Sequence, residues 1–261
     1  LSGRAKKFSR VFDEIRKYNK VYAFCMDIDS LRSETRLIEA DICELNKFDG
    51  IVVYHKEMKN RLLKYGLTRP KIVELGILDY YTNITNVPLR KVTNTVVYAG
   101  NLAISEFLIP LRNLDLGFQL NLYGNGFDKY ENEKSTCYKG SFGPEELVQK
   151  LEGAFGLIWG GRAFDHIEGF WGRYLEVNLP HKTSLYIVAG LPIIVWEGAA
   201  VARFIKDENI GFTIHDLTEI AEKISKISQD EYELYQQNCM RIARKVRTGY
   251  YTKTALKKLL S

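Results

Sequence analysis

YLEVNLPHKTSLYIVAGLPIIVWEG, residues 174–198, decides the fold. It opens as a polar loop that ends at Pro180, and proline suits a helix start because its missing N–H costs nothing there. A short helix follows and Gly190 stops it. The apolar run 191–196 then reads as a strand buried on both faces. Loop, helix and buried strand in succession make one unit of an alternating α/β chain. His181 and Lys182 sit in the first helical turn, where unpaired N–H groups and aligned peptide dipoles already form a positive pole. Cations there are repelled until an anion arrives, so the turn reads as an anion site. A lysine merely solvated on a helix surface is the rival reading.

Working outward, the same rhythm recurs. Strands are expected at 20–29, 48–55 and 71–80, with a helix after the second stopped by Gly66. The polar stretch 81–94 has neither helical nor strand period and reads as a linker. Strands resume at 95–100, 118–124, near 137–140, 155–160, 191–196 and 210–214, and helices close the chain at 230–246 and 253–260. Alternation of this kind predicts parallel sheets covered on both faces. The expected organisation is α/β: an N-terminal Rossmann-like lobe over 1–85, a C-terminal ligand-binding lobe over 95–245, and a last helix, 246–261, packing back across the lobes. The chain begins at Leu1 with a helix-like pattern already under way, so the natural protein is expected to start earlier, with the N-terminal lobe truncated here.

Bulk properties narrow the function. The 261 residues are 46% hydrophobic, enough for a sizeable core, and carry a net charge of +5. That balance suits anionic small molecules or an acidic membrane surface; it is too weak to imply nucleic acid, the lysines and arginines are scattered without an RNA- or DNA-binding pattern, and no nucleic-acid partner is expected. Cys25, Cys43, Cys137 and Cys239 are isolated singles, as in a reducing cytoplasm. No apolar run reaches the roughly 20 residues of a membrane span, and no signal peptide is read.

Ligands of open α/β sheets bind beyond the carboxyl ends of the strands, which selects the candidates. Asp27 and Asp29 end the first expected strand and offer a general base, or simply a helix cap. Asn101 follows Gly100, as ligand contact or N-cap. The loop 160–178 carries Arg162, Asp165, His166 and Glu168, whose spacing matches no recognised metal site. Gly198, Ala199 and Ala200 read as a second helix start with N–H donors to spare. Phe142 before Gly143-Pro144 could stack on a base or act as a hydrophobic staple. GxGxxG, Walker A and GxSxG patterns are absent, against dehydrogenase or epimerase, NTPase and hydrolase readings.

Taken together, 174–205 resembles a signature of bacterial β-1,6-galactofuranosyltransferases and of the related streptococcal glucosyltransferases that extend glycans on serine-rich adhesins. DIDSLR (27–32), LNKFDGIVVYHKEM (45–58), ILDYY (77–81), VYAGNL (97–102), NLYGNGFD (121–128), YKGSFGPEEL (138–147) and FGLIW (155–159) follow in the family's order. The resemblance implies the GT-B fold, two Rossmann-like lobes with a central cleft, and a cytoplasmic, inverting, metal-independent hexosyltransferase. It implies no cofactor, a UDP-sugar donor (galactofuranose or glucose) and a glycan or lipid-linked saccharide acceptor. By the same resemblance Lys182 meets the diphosphate, Asn101 borders the sugar phosphate, and Phe142 lies on the uracil, with His181 and Ser184 also expected among the nucleotide-sugar-binding residues. Glu197 and Gly198 take the ribose and phosphate side, and Asp27 is the base. Three positions depart from the family's pattern: Met26 stands where a histidine is usual, Ile104 where a basic residue is, and Gly160 where an acidic one is. A non-catalytic subunit binding a partner transferase or glycan is therefore the alternative. Peripheral membrane contact through the basic stretch 241–260 and a homo-oligomer stay open as partners.

Overall fold

The computed structural model describes residues 11–32, 37–126 and 134–261. Two parallel sheets carry it. The first has the order β1-β2-β3, built from β1 (Tyr22–Phe24), β2 (Gly50–Val53) and β3 (Lys71–Glu74), with helices α1 (Ile38–Leu45) and α2 (Lys56–Lys64) in the crossovers. β2 is buried along its whole length, as a central parallel strand must be. β1 is shorter than its apolar run: the chain has left the sheet before Asp27, which lies in an irregular segment ahead of a 3-10 turn at Asp29–Arg32.

The second sheet comprises β4 (Thr95–Ala99), β5 (Gln119–Tyr123), β6 (Thr136–Gly140), β7 (Phe155–Ile158), β8 (Ile193–Trp196) and β9 (Gly211–Ile214). All neighbours are parallel, in the order β6-β5-β4-β7-β8-β9. The chain therefore winds outward in one direction from β4 and in the other from β7. The point where the order reverses is where strand ends splay and leave a crevice. β4 and β7 pair only at Val96↔Phe155 and Val97↔Gly156. Beyond Val97 the two strands part.

Helix α5 (His181–Val188) lies across that split. Gly156 makes room for it, since a Cβ there would fall 2.4 Å from the Tyr186 ring. The fully buried Tyr186 hydroxyl accepts the Ala99 N–H at 2.9 Å and has the Val97 and Leu157 carbonyls at 3.3 and 3.2 Å. It fills the gap left where the β4–β7 ladder opens, and its burial raises the phenol's pKa. Gly190, at φ 65°, ends the helix as its position in the sequence predicts. The remaining helices are α3 (Pro144–Lys150), α4 (Gly169–Tyr174), α6 (Ala202–Asp207), α7 (Ile220–Ser225), α8 (Gln229–Arg247) and α9 (Tyr250–Leu260). α4 is a helical insertion in what reads as the loop 160–178.

No helix or strand occurs in 81–94. Gly249 turns α8 into α9, whose first N–H groups, Tyr251 and Thr252, are capped by Asp79 at 3.2 and 2.7 Å. α9 thus crosses back to the first sheet, where Leu259 packs beside Gly50. Other bonds join the two halves: Tyr80 Oη donates to the Pro144 carbonyl (2.6 Å), Ser184 Oγ to that of Leu78 (2.6 Å), and His55 Nε2 to that of Asn178 (3.2 Å). Among the described residues, no helix is long and apolar enough to cross a membrane.

Candidate active site

A cavity of about 200 Å³ opens at the strand switch point, beyond the ends of β4 and β7. Gly100 and Asn101 form one wall, Gly160 and Gly161 another, and Trp171, Tyr174, Pro180 and Lys182 close it. Lys182 reaches in from the first turn of α5. Its Nζ stands 3.8 Å above the centroid of the Tyr98 ring, a cation–π contact that holds the ammonium in place. A Cβ on Gly100 would sit 3.4 Å from that nitrogen, so glycine leaves the cation open to a ligand. No carboxylate pairs with Lys182 among the described residues, and no side chain caps the helix start at Pro180. The Thr183 N–H is bonded to the Pro180 carbonyl at 2.9 Å, which leaves the His181 and Lys182 N–H groups without an acceptor in the helix. An ammonium and a helix N-terminus thus converge beside a bare strand end, an arrangement suited to a phosphate.

Asn101 is an N-cap, one of its two expected readings. Its Oδ1 accepts the Ala103 N–H at 3.1 Å, capping the 3-10 turn Leu102–Ile104, while the residue also lines the cavity. Its carbonyl accepts from Ser105 Oγ, which in turn meets the Tyr98 hydroxyl at 2.8 Å, so Asn101 and the ring beneath Lys182 are fixed by one network. Asp27 approaches from the first sheet: Tyr174 Oη donates to its Oδ1 at 2.8 Å. Tyr174 belongs to the walls of two cavities. The second, of about 370 Å³, lies between the halves of the molecule and includes Ser30, Arg61, Tyr65, Phe170 and Glu176. Arg61 and Glu176 face each other across it at 3.1 Å. Asp27 is therefore bonded to the tyrosine that the two cavities share, without itself lining either.

The other expected residues are not all brought here. His181 is exposed at the helix start. Ser184 lies on the far side of α5, buried and bonded to Leu78. Phe142 is half-buried outside the cavity, 6.3 Å from the Tyr123 ring, with Lys150 Nζ 5.8 Å from the centroid of its own ring. Glu197 is exposed and pairs with His215 at 2.9 Å, and Gly198 follows it in a turn. The second helix start expected at 198–200 is a correction. α6 begins at Ala202, and the Ala199 and Ala200 N–H groups are already spent on the Trp196 and Leu175 carbonyls, at 3.0 and 2.9 Å. Asp165, His166 and Glu168 do meet, His166 lying 2.8 Å from Asp165 and 3.5 Å from Glu168. Asp165 raises the His166 pKa, yet among the described residues no group of three such side chains could hold a metal ion.

Sequence reasoning missed Tyr98, Trp171, Tyr174 and Asn178 as walls of the site. Tyr98 lies inside an apolar strand and looks like core; the cluster GFWGRY at 169–174 was the available signal for Trp171 and Tyr174.

Comparison with known proteins follows the same outline. The family models "Glucosyltransferase 3-like, C-terminal domain" and "Glucosyltransferase 3-like, N-terminal domain" match residues 96–259 and 4–77. The β-1,6-galactofuranosyltransferase WbbI of Escherichia coli K12 is 34% identical over 241 residues, covering 90% of this chain and 69% of WbbI. Glucosyltransferase 3 of Streptococcus gordonii is 25% identical over 91% of this chain and 70% of its own length. Among solved structures, Anabaena HepE in complex with UDP-glucose superposes with a TM-score of 0.63 at 10% identity, over 98% of this chain and 76% of HepE, a likeness of fold alone.

Proposed function

The chain belongs to the glucosyltransferase 3-like family and has its GT-B fold, and from that premise we propose a mechanism for hexosyl transfer from a UDP-sugar to a glycan acceptor. The observation that carries it is Lys182: an unpaired ammonium at an uncapped helix start, held over Tyr98 and open past Gly100. The donor's diphosphate lies there, and galactofuranose or glucose extends past Asn101 toward Tyr174. The acceptor enters through the cavity of Arg61, Tyr65 and Phe170. Its hydroxyl gives its proton to Asp27 as its oxygen bonds to the anomeric carbon, and the bond from that carbon to the diphosphate oxygen breaks. UDP leaves against Lys182 and the α5 N–H groups, which supply the electrostatic stabilisation without a metal. One displacement inverts the anomeric centre. Four free cysteines support a reducing cytoplasm as its setting.

One observation favours the non-catalytic reading. Two of the departures from the family's pattern, Ile104 and Gly160, line the cavity, and Met26 is exposed next to Asp27. Incubation with UDP-galactofuranose or UDP-glucose and a glycan acceptor separates the two. Release of UDP with a glycosylated product is expected; UDP binding without turnover of either donor, with any acceptor offered, would assign the chain as a binding subunit.

A further inference from the structure

A second basic cavity, of about 520 Å³, lies at the opposite edge of the large sheet, against the N-terminal halves of β4, β5 and β6. Faces of parallel sheets are normally apolar and covered. Here Leu120 and Leu122 point into the core, while Gln119 and Asn121 alternate to the other face, with Cys137 paired beside Asn121. Over this polar row sit Arg90, Lys91 and Lys139. Lys139 pairs with Glu152 at 2.9 Å, and Lys91 has no ion pair among the described residues.

Arg90 is the unusual group. Its Nη1 donates to the Gly153 carbonyl at 3.1 Å, its Nε is buried with no partner, and no carboxylate pairs with it among the described residues. Burial lowers its pKa, and the opposing influence of Tyr232, Tyr123 and Glu152 does not make up the desolvation cost. A charge left in that position is matched most directly by an anion, and a guanidinium fork fits phosphate oxygens. Three cations against one carboxylate give the cavity the same sign.

We propose that this cavity binds a phosphate group, held by Arg90, Lys91 and Lys139, separate from the cavity around Lys182 and independent of the glycosyl-transfer reading. The occupant would touch the segment that joins the two sheets, because the Arg90 N–H donates to Gln236 Oε1 and Gln236 Nε2 donates to the Gly190 carbonyl, at 3.2 and 3.1 Å. A phosphate can come from a soluble compound or from a lipid headgroup.

Cys137 lines the cavity and is a local reporter, with exposed Cys43 as internal control. The test is peptide-resolved alkylation by N-ethylmaleimide, with inorganic pyrophosphate in one arm and phosphatidylglycerol or phosphatidylcholine vesicles in another. At saturation the Cys137 rate is expected to fall by about tenfold, following site occupancy, while Cys43 is unchanged. Protection is expected to persist in Lys182→Ala and to vanish in Arg90→Gln. It should also vanish in Lys139→Gln, a half-exposed substitution that leaves the core intact should the arginine variant misfold. Protection by pyrophosphate assigns a soluble phosphate, and protection by phosphatidylglycerol vesicles alone a lipid one. No protection in either arm overturns the proposal. So does protection that survives both basic-site variants, or that is lost with Lys182.

Discussion

Replacing Lys182 by alanine tests the centre of the proposed mechanism. In the unliganded protein the side chain makes one favourable contact, over the Tyr98 ring at 3.8 Å, and no ion pair among the described residues. A partly exposed cation–π contact contributes about 0.5–1 kcal/mol. For a chain of this size, 1 kcal/mol lowers Tm by about 2–4 °C, so the variant should fold and melt no more than about 4 °C lower. With a diphosphate present the same ammonium would make a charge-assisted bond, and such bonds contribute about 1.5–3 kcal/mol. At about 1.4 kcal/mol per decade, UDP should bind roughly 10- to 150-fold more weakly. Isothermal titration of UDP and of uridine into both proteins reads this directly, and uridine, lacking phosphate, should lose nothing. A folded Lys182→Ala protein whose Kd for UDP stays within about twofold of wild type would refute the anion site.

Further outcomes follow from the same geometry. Asp27→Asn should lower kcat by about 10²- to 10⁴-fold, the range of a lost general base, while the titrated Kd for UDP is unchanged; full activity would remove Asp27 from the chemistry. Tyr186→Phe strands the Ala99 N–H and should cost about 1–3 kcal/mol by chemical denaturation; an unchanged midpoint would contradict its role at the β4–β7 split. His55 is held below its ordinary pKa chiefly by burial, opposed by Glu57 and Glu74 and by its bond to the Asn178 carbonyl. The unfolded chain then takes up the proton first as pH falls. Its stabilising contribution is complete above the unfolded value, about 6.5, and is lost as pH drops below it toward the folded value. The Tm difference between wild type and His55→Gln should therefore shrink on acidification, and a difference that grows would reverse the sign.

Much of the fold was legible because parallel strands buried on both faces appear as unbroken apolar runs, and 191–196 and 95–100 are two of these. The helix between Pro180 and Gly190 was legible from its two ends, a proline start and a glycine that adopts φ 65°. The meeting of Lys182 with an uncapped helix start could be read because it is local: one helix turn supplies donors and cation together. What could not be read depends on strand order. Nothing in the sequence says that β4 and β7 are neighbours that part beyond Val97, so the tyrosines working at that split, Tyr98 and Tyr186, look like ordinary core. The N–H groups at 199–200 read as donors because the turn that consumes them depends on Leu175, far away in the chain.

Ser184 shows how a residue can be right in neighbourhood and different in task. It lies half a helical turn beyond Lys182, and the 100° advance per residue carries it away from the cavity to the side that faces Leu78. α5 thus has a cavity-lining cation at one position and a bond to the other half of the molecule two residues later. The same holds nearby, where Asn178 lines the cavity and its carbonyl accepts from His55, and Tyr174 lines it while donating to Asp27. Three wall segments of the cavity are each tied by a hydrogen bond to a segment that follows a strand of the first sheet. A ligand that shifted any of them would act on a bond between the two halves.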